Sequence, residues 1–327
     1  MGRRKCTLEA MGELGMNRVL VTGANGFVGS ALCNRLAKNG IKTIAIVKDE
    51  NSDISRLVEN DNLTIRYCNM NNFRNLADIT DGLKIDILYH FAWTGSAGEL
   101  RKNYEIQTNN VRYTCDAVMA CKEMQCERFV YASSIMKYEI QNAEKTGNAL
   151  PAVTIYSSAK SAADSMARAV AGSIGVEYIS GVISNVYGPG EYSARLINSS
   201  IRKLIKGEHC SFSNGEQLYD FIYVDDAARA FELLGQRGKN NRSYYIGDRP
   251  QKLKNYLIEM KNAINTEAEL GLGELPSPTT TLNYDEFDYT VMKHEFGFEP
   301  KVSFRDGIIK TAEWVKNSEN IRLLEGL

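Results

Sequence analysis

The stretch that decides the fold is Val19-Leu20-Val21-Thr22-Gly23-Ala24-Asn25-Gly26-Phe27-Val28-Gly29. An apolar run ends in a glycine turn, and an amphipathic segment follows. Gly23 can adopt the backbone angles of a tight turn, Gly26 lets the main chain approach an anion, and Gly29 lets a helix pack closely on its strand. The first turn of such a helix offers free N–H groups to a diphosphate. The stretch therefore predicts a strand, a turn and a helix that together hold phosphate groups.

The composition is that of a globular chain with a sizeable core. Its 327 residues are 43% hydrophobic, which is enough for one large domain or two linked ones. Lys and Arg number 39 and Asp and Glu number 40, so the formal net charge is -1. A nearly neutral chain argues against nucleic acid or an anionic membrane as the main partner.

Cysteine and histidine spacing argues against a metal site. The seven cysteines are scattered without a C-x-x-C pair, so we expect reduced, mostly packed thiols. The three histidines, His90, His209 and His294, are far apart in the sequence. We therefore expect no bound metal.

The N-terminal segment does not look like a targeting sequence. Arg3, Arg4 and Lys5 are not followed by an apolar stretch, and no later run approaches the length of a membrane span. We expect a cytoplasmic protein with no membrane partner. Residues 1–15 precede the first strand and are predicted to be a disordered extension.

Apolar runs alternate with amphipathic segments along the first half of the chain. Strand-like runs lie at 18–22, 42–47, 63–67, 86–91, 127–132 and 176–183, and helical patterns lie at 29–39, 101–124 and 156–174. This alternation predicts an α/β fold with a doubly wound parallel sheet over residues 16–184, with ligands at the carboxyl ends of its strands. The rhythm then becomes less regular, which predicts a smaller second domain over residues 185–327.

The end of the second predicted strand bears on the choice of cofactor. An acidic side chain there would accept hydrogen bonds from both ribose hydroxyls of NAD, but Val47 takes that place and Lys48 follows it. A lysine favours the additional phosphate of NADP. NAD stays open, because Asp49 could still turn inward.

Tyr156 and Lys160 are candidates for the chemistry. The i, i+4 spacing puts the phenol and the ammonium on one face of a predicted helix, and a neighbouring cation favours the phenolate. Tyr289 and Lys293 have the same spacing but follow an acidic loop, so Tyr289 is interpreted as structural. Tyr156 instead follows Ser134, which closes a predicted strand and would display its hydroxyl at the ligand edge of the sheet.

With these motifs the chain resembles the extended short-chain dehydrogenase/reductase family, in its nucleotide-sugar epimerase/dehydratase branch, over residues 16–317. Several independent motifs in the same order carry the resemblance. They are Thr22 to Gly29, His90-Phe91-Ala92, Asn110-Val111 with Thr114, Ser133-Ser134, Tyr156 with Lys160, Asn185 to Gly190, Asp220 to Asp226, and Gly297 with Pro300.

The resemblance implies a Rossmann-type domain that binds NAD(P) and a smaller C-terminal α/β domain that binds a nucleoside-diphosphate sugar. It implies that Ser134, Tyr156 and Lys160 form the catalytic set. The implied cofactor-binding residues are Gly23, Asn25, Gly26, Phe27, Val28, Gly29, Lys48, Phe91, Ala92, Asn110, Tyr156 and Lys160. The implied substrate-binding residues are Trp93, Thr94, Ser134, Asn185 and Arg195. The helices at 101–124 and 156–174 would pair with those of a second subunit, so a homodimer is expected.

Departures from the family narrow the expected reaction. The family's 4,6-dehydratases carry an acidic pair after the catalytic hydroxyl, whereas Ile135 and Met136 follow Ser134 here and cannot move protons. This leaves hydride transfer at one carbon, C4. The prediction is a 4-ketoreductase that uses NADPH on a nucleoside-diphosphate 4-keto-6-deoxyhexose. The alternative is a nucleotide-sugar 4-epimerase with tightly bound NAD.

A second departure concerns the substrate. Tyr219 replaces the arginine that many members use to pair with the diphosphate, and Arg195, Lys203 or Arg249 could supply the missing charge. Two further alternatives are a reductase of a non-sugar carbonyl and an NADP-binding regulator without turnover. The intact Ser134, Tyr156 and Lys160 argue against the regulator.

Overall fold

The structure is a computed structural model that describes residues 15–147, 149–278 and 282–317. The predicted disordered extension therefore lies outside the described residues, apart from Gly15. In chain order, the strands are β1 (Arg18–Thr22), β2 (Lys42–Val47), β3 (Leu63–Tyr67), β4 (Ile87–His90), β5 (Arg128–Ser134), β6 (Glu177–Ile183), β7 (Asn185–Tyr187), β8 (Cys210–Phe212), β9 (Leu218–Tyr219), β10 (Phe221–Tyr223), β11 (Arg242–Ile246), β12 (Gln251–Lys252) and β13 (Leu270–Leu272).

The helices surround these strands. In chain order they are α1 (Phe27–Lys38), α2 (Leu76–Ile79), α3 (Tyr104–Glu123), α4 (Glu139–Thr146), α5 (Thr154–Ile174), α6 (Leu196–Lys206), α7 (Val224–Arg237), α8 (Leu253–Ile264), α9 (Val291–Phe296) and α10 (Phe304–Lys316). Short 3₁₀ helices cover Met70–Asn75, Glu99–Lys102, Ile135–Tyr138 and Tyr284–Glu286.

Seven strands form one parallel sheet in the order β11-β6-β5-β4-β1-β2-β3. The central strand β1 pairs with β2 and β4, so that Leu20 lies opposite both Ile44 and Leu88. Because the strands are parallel, the carboxyl ends of β1, β4 and β5 lie at one edge of the sheet, and the strand order reverses direction at β1. The predicted α/β fold with a doubly wound parallel sheet is confirmed.

Alternate residues of β1 face two different layers. Val19 and Val21 belong to the core that contains α1 and α7, and Leu20 belongs to the core that contains α3 and α5. Helix α1 packs on α7, and α3 packs on α5. A strand buried on both faces needs apolar side chains at successive positions, which explains the unbroken apolar run before the glycine turn.

A smaller unit follows β6. Its strands pair as β7 with β10, β8 with β13 and β9 with β12, and α6, α8 and α10 pack against one another. Between the elements of this smaller unit, the chain returns to the large sheet: α7 packs on that sheet and β11 forms its edge strand. The sequence pattern did not indicate this return. The predicted domain boundary between residues 184 and 185 stays a prediction.

One helix boundary differs from the sequence pattern for a local reason. The predicted helix at 101–124 begins at Tyr104, because the side chain of Asn103 accepts a hydrogen bond from the Ile106 backbone N at 3.1 Å. The preceding Glu99–Lys102 segment forms a 3₁₀ turn over the start of α5. This turn brings Arg101 close to Tyr156.

Candidate active site

The glycine turn has the shape that a diphosphate needs. Gly23 has a φ of +67°, and a Cβ atom there would lie 2.6 Å from the backbone N of Ala92. A Cβ atom on Gly29 would collide with the Gly23 carbonyl oxygen. Gly26 is the N-cap residue of α1, and no side chain caps this end. The first-turn N–H groups of α1, which include those of Phe27 and Val28, therefore fit the diphosphate of a dinucleotide.

Arg56, a residue that the sequence reasoning missed, joins this turn to the segment that follows β7. Its Nη1 donates to the Asn25 carbonyl oxygen at 3.1 Å, and its Nε donates to the Gly190 carbonyl oxygen at 2.7 Å. Its guanidinium carbon also lies 4.2 Å from the centroid of the Tyr192 ring. The Asn25 side chain in turn donates to the Asp53 carbonyl oxygen at 2.9 Å. Arg56 therefore places a positive charge beside the predicted phosphate cradle.

Lys48 lies at the exposed end of β2. The preceding Val47 is buried, whereas the Lys48 side chain is 68% exposed, with its Nζ 3.6 Å from an Asp49 carboxylate oxygen. Asp49 also accepts hydrogen bonds from the Asn51 backbone N and from the Ser52 hydroxyl. The Asp49 carboxylate therefore closes the turn that follows β2.

His90 is a buried structural residue below the cradle. Its Nδ1 lies 2.8 Å from the Thr22 hydroxyl and its Nε2 lies 3.2 Å from the Thr114 hydroxyl. Burial, with a smaller effect of the Lys160 charge, lowers the pKa of His90 to about 3. The imidazole is therefore neutral, and it links β1, β4 and α3. The next residue, Phe91, packs against Phe231 at 4.7 Å between ring centroids.

Ser134 and Tyr156 meet at the carboxyl end of β5. The two side chains lie close enough for Ser134 to lower the pKa of Tyr156. Burial acts most strongly and raises the pKa of Tyr156, whereas the Ser134 hydroxyl and the charges of Arg195 and Arg101 oppose that rise. The sequence predicted that Lys160 is the cation that lowers the pKa of Tyr156. In the structure, Arg195 and Arg101 also lower it.

Lys160 follows Tyr156 by one turn of α5 and is buried. Its Nζ donates to the Ala132 carbonyl oxygen at 3.0 Å and lies 3.9 Å from the centroid of the Trp93 ring. Burial lowers the pKa of Lys160 to about 7, and the nearby Asp164 carboxylate acts in the opposite direction. A lysine with such a pKa can exchange a proton at neutral pH.

Trp93, Thr94 and Asn110 belong to one hydrogen-bonded loop. Trp93 Nε1 donates to Gln107 Oε1 at 2.9 Å. The Asn110 side chain accepts from the Thr94 backbone N at 3.1 Å and donates to the Thr94 carbonyl oxygen at 2.8 Å. Asn110 thus shapes the loop above the cradle. Trp93 also meets the Tyr156 ring edge-on at 6.0 Å between centroids, which puts its indole beside the predicted catalytic set.

Two more charged residues next to Tyr156 were missed by the sequence reasoning. The guanidinium carbon of Arg101 lies 4.5 Å from the centroid of the Tyr156 ring. Glu139 is buried, and its Oε2 accepts from the Ser157 hydroxyl at 2.5 Å. Burial raises the pKa of Glu139. Arg101 lies on a 3₁₀ turn and Glu139 begins α4 directly after another 3₁₀ turn, and no sequence motif marked either residue.

The predicted substrate residues differ in their placement. Asn185 donates through its side chain to the Asp220 carbonyl oxygen at 3.0 Å, which ties β7 to β10.

Arg195 is the N-cap of α6, with its Nε 3.9 Å from Glu191 Oε2, and its charge acts on Tyr156. Arg249 instead lines a separate cavity of about 330 Å³, and Lys203 lies near Cys210 on β8. Of the three candidate cations, Arg195 is the one whose charge acts on Tyr156 of the predicted catalytic set.

The fold and the glycine cradle define an α/β protein of the dinucleotide-binding class. A model of the NAD dependent epimerase/dehydratase family matches residues 19–247, well over half of the chain. The chain belongs to this family, as the resemblance predicted, and is an enzyme of its nucleotide-sugar epimerase and dehydratase group.

Curated relatives span nearly the whole chain. The dTDP-D-glucose 4,6-dehydratase of Homo sapiens is 27% identical over 322 residues, which cover 92% of this chain and 90% of that protein. The enzyme of the same name from Dictyostelium discoideum is 22% identical and covers 94% of this chain and 83% of its own length.

Solved structures share the fold. The UDP-glucose 4-epimerase of Thermotoga maritima, in a structure with UDP-glucose, has a TM-score of 0.77 at 22% identity and covers 92% of this chain and 99% of its own. The Bordetella bronchiseptica enzyme WbmF, in complex with NADH, has a TM-score of 0.76 at 21% identity and covers 96% and 95%.

Within the described ranges, no group of three or more His, Cys, Asp or Glu side chains is placed to hold a metal ion. None of the helices in the described part of the chain combines the length and apolar character of a membrane span.

Proposed function

We propose that the protein transfers a hydride at C4 of a nucleoside-diphosphate hexose and acts as an NADPH-dependent 4-ketoreductase. The observation that carries the proposal is the proximity of Ser134 and Tyr156, whose pKa Ser134 lowers, at the sheet edge that also holds the glycine cradle. The 4-keto-6-deoxyhexose predicted from the sequence is one member of this substrate class.

The roles follow from the chemistry of each group. A bound nicotinamide supplies the hydride. Tyr156 gives its hydroxyl proton to the ketone oxygen as that oxygen gains charge, and Ser134 donates a hydrogen bond to the same oxygen. Lys160 binds the ribose hydroxyls of the cofactor and, with a pKa of about 7, replaces the proton that Tyr156 has given. Arg195 is the proposed partner of the substrate diphosphate.

Two cations support the preference for NADP. Lys48 follows β2 with an exposed ammonium, and Arg56 contacts the backbone of Asn25 in the cradle. Asp49, the acid that could have bound the ribose hydroxyls of NAD, is used in its own turn. Positive charge without a ribose-binding acid suits the 2′-phosphate of NADP. The alternative is a 4-epimerase that retains NAD, as the 4-epimerase names among the fold neighbours suggest.

Dehydration is not part of the proposal, although curated relatives are named 4,6-dehydratases. Ile135 is buried and apolar, and Met136 has no proton to move. The nearest buried acid on this segment, Glu139, is held by Ser157. A 4,6-elimination needs a group that removes a proton and one that donates a proton to the leaving hydroxyl, and Ile135 and Met136 supply neither.

We also propose a cytoplasmic homodimer. Helices α3 and α5 pack against each other and expose apolar side chains, among them Tyr104 at 66% and Met166 at 52%. A symmetric pairing of these helices would cover such side chains. Sedimentation at two protein concentrations tests the proposal, and a monomer at both would reject it.

The test of the main proposal separates it from the epimerase. One sample of the purified protein is denatured, and any nucleotide that it releases is identified. The melting temperature of the native protein is then measured in the presence of NADPH and in the presence of NADH, and the two values are compared. A nucleotide-free protein that NADPH stabilises more than NADH, and that oxidises NADPH with UDP-4-keto-6-deoxyglucose, supports the reductase. Stoichiometric bound NAD with no consumption of NADPH supports the epimerase.

A further inference from the structure

Asp164 is a buried acid on α5 that the proposed chemistry does not use. It lies one helical turn after Lys160 and two turns after Tyr156, so the three residues share one face of the helix. Its carboxylate accepts hydrogen bonds from α5, β5, β6 and the 3₁₀ turn after β5. Oδ2 accepts from Lys137 Nζ at 2.6 Å, the Ser180 hydroxyl at 2.8 Å and the Ser133 hydroxyl at 3.0 Å, and Oδ1 accepts from the Tyr178 hydroxyl at 3.0 Å and Arg168 Nη2 at 3.5 Å.

Two of these donors flank Ser134 in the sequence. Ser133 precedes it on β5, and Lys137 lies on the 3₁₀ turn Ile135–Tyr138 that begins directly after it. Both donate to the same oxygen of Asp164, Oδ2. The segment that contains Ser134 is therefore hydrogen-bonded to α5 on both sides of this residue.

Fold stability alone does not account for the ion pair of Asp164 and Lys137. The two side chains are 5% and 12% exposed, so both charges have lost most of their water. This loss largely offsets the attraction within a buried pair, and apolar side chains in its place are often equally stable. Ile135, on the same 3₁₀ turn, is apolar and buried. What the ion pair adds is a fixed distance and direction between α5 and the turn after Ser134.

Asp164 does not act as an acid or base itself. Burial raises its pKa, but the charge and hydrogen bond of Lys137, the Ser180 hydroxyl and the charge of Arg168 together hold that pKa below its ordinary value. The carboxylate is therefore ionised at neutral pH and has no proton to give. An effect of Asp164 on the reaction has to pass through its neighbours.

We propose that Asp164 is a positioning residue which, with Lys137 as its counter-ion, holds the turn after Ser134 against the helix that contains Tyr156 and Lys160. The inference rests on the proposed hydride transfer, in which the Tyr156 and Ser134 hydroxyls must both reach one substrate oxygen. A displacement of about 1 Å between such groups lowers the rate about 100-fold. The glycine cradle and Arg195 are not among the donors to Asp164, so binding of cofactor and substrate should change little.

The same carboxylate acts on the charge of Lys160. Burial lowers the pKa of Lys160 to about 7, and the Asp164 charge opposes this fall. The described groups that otherwise face the ammonium are neutral at pH 7; they are His90, Trp93, Tyr131, Tyr156 and the Ala132 carbonyl oxygen.

The cations beside Asp164 are Lys137 and Arg168. Loss of the Asp164 charge should therefore lower the pKa of Lys160 further. Loss of the Lys137 charge should raise the pKa of Lys160, because the carboxylate is then less compensated.

The test uses four variants. Asp164→Asn keeps the shape of the side chain, but its amide nitrogen cannot accept from Lys137. Lys137→Met leaves the carboxylate without this counter-ion, and the double variant removes both charges. Glu232→Gln is the matched control, because Glu232 is a similarly buried acid that accepts from Arg35 and Asn39 between α1 and α7.

Three quantities are measured for each full-length variant. They are the free energy of unfolding in urea, the melting-temperature shift that NADPH produces, and kcat and KM for the reduction of UDP-4-keto-6-deoxyglucose as a function of pH.

The inference predicts that Asp164→Asn lowers kcat about 10- to 100-fold and leaves KM within about twofold. The double variant should be more stable than either single variant and should still have the low kcat, because an uncharged pair does not fix the turn. Since protonated Lys160 supplies the proton, kcat falls as pH rises through its pKa. This fall should move to lower pH in Asp164→Asn and to higher pH in Lys137→Met. Glu232→Gln should lose stability and keep the wild-type kcat.

A purely structural role makes a different prediction, in which kcat and stability recover together. Wild-type kcat in the double variant or in Asp164→Asn, or an unshifted pH profile in both single variants, would overturn the inference alone. If Asp164→Asn does not fold, the kcat of the double variant decides. Absence of hydride transfer by the wild type with either dinucleotide would overturn the proposed function and the inference with it.

Discussion

The ammonium group of Lys160 lies 3.9 Å from the centroid of the Trp93 indole ring. The contact joins a residue of α5 to the loop that follows β4, and the hydrogen bond from Lys160 to the Ala132 carbonyl oxygen fixes the ammonium from the other side. The lysine is thus held in a dry, largely aromatic pocket beside Tyr156. Burial there lowers its pKa to about 7, so the pocket that makes Lys160 useful for proton transfer also makes its charge costly to the fold.

Replacing Lys160 by Met should raise stability while it abolishes activity. The folded-state pKa of about 7 lies below the value of about 10.4 in an unfolded chain. The unfolded state therefore binds more protons between these values, and wild-type stability rises with pH across that window. The cofactor-free Lys160→Met variant should have the higher melting temperature at about pH 7, and the difference should shrink toward about pH 10. A pH-independent difference would show that the Lys160 charge is not the cause.

Tyr156→Phe should remove nearly all turnover and leave cofactor binding intact. The phenylalanine ring keeps the packing against Trp93 but has no proton to give, so a loss of about 1,000-fold or more in kcat is expected. The measurement is NADPH oxidation together with the melting-temperature shift that the cofactor produces. Tyr289→Phe is the matched control, because Tyr289 donates to the Tyr284 carbonyl oxygen in a separate cluster. Equal activity losses in the two variants would contradict the assignment.

Gly29→Ala should destabilise the fold, whereas Gly172→Ala should not. A Cβ atom at position 29 meets the Gly23 carbonyl oxygen, and one at position 172 in α5 meets nothing within 4 Å. We expect the free energy of unfolding to fall by about 1–3 kcal/mol for the first and to rise by up to about 1 kcal/mol for the second. Urea denaturation measures both. Similar changes in the two variants would show that close packing at the cradle is not what requires glycine.

Lys48→Glu should reduce the preference for NADPH over NADH. The negative charge would repel the 2′-phosphate and accept hydrogen bonds from the ribose hydroxyls, so we expect the affinity ratio to change by about 10-fold or more. Lys42→Glu, at the opposite end of the same strand, is the control for a change in overall charge. If both variants alter the NADPH-to-NADH affinity ratio equally, or if neither alters it, Lys48 does not bind the 2′-phosphate of NADPH.

Most of the fold could be predicted from the sequence because strands buried on both faces read as apolar runs, as Val19 to Val21 illustrate. The placement of Ser134 beside the helix that carries Tyr156 and Lys160 could be predicted because each residue has a fixed position on a regular element. Arg56, Arg101 and Glu139 could not, since their positions depend on the path of loops and short 3₁₀ turns. Asn185 is a motif residue that was predicted to bind substrate. In the structure its side-chain amide donates a hydrogen bond to the Asp220 carbonyl oxygen.

The central claim, hydride transfer at C4 assisted by Tyr156, is tested most directly by an isotope. The protein is incubated with C4-deuterated NADPH of each stereochemistry and UDP-4-keto-6-deoxyglucose, and the product is examined by NMR. The account predicts deuterium on C4 of the sugar from one of the two stereoisomers, and none from Tyr156→Phe. Absence of deuterium from the sugar with both stereoisomers, or its appearance at another carbon, would contradict the account.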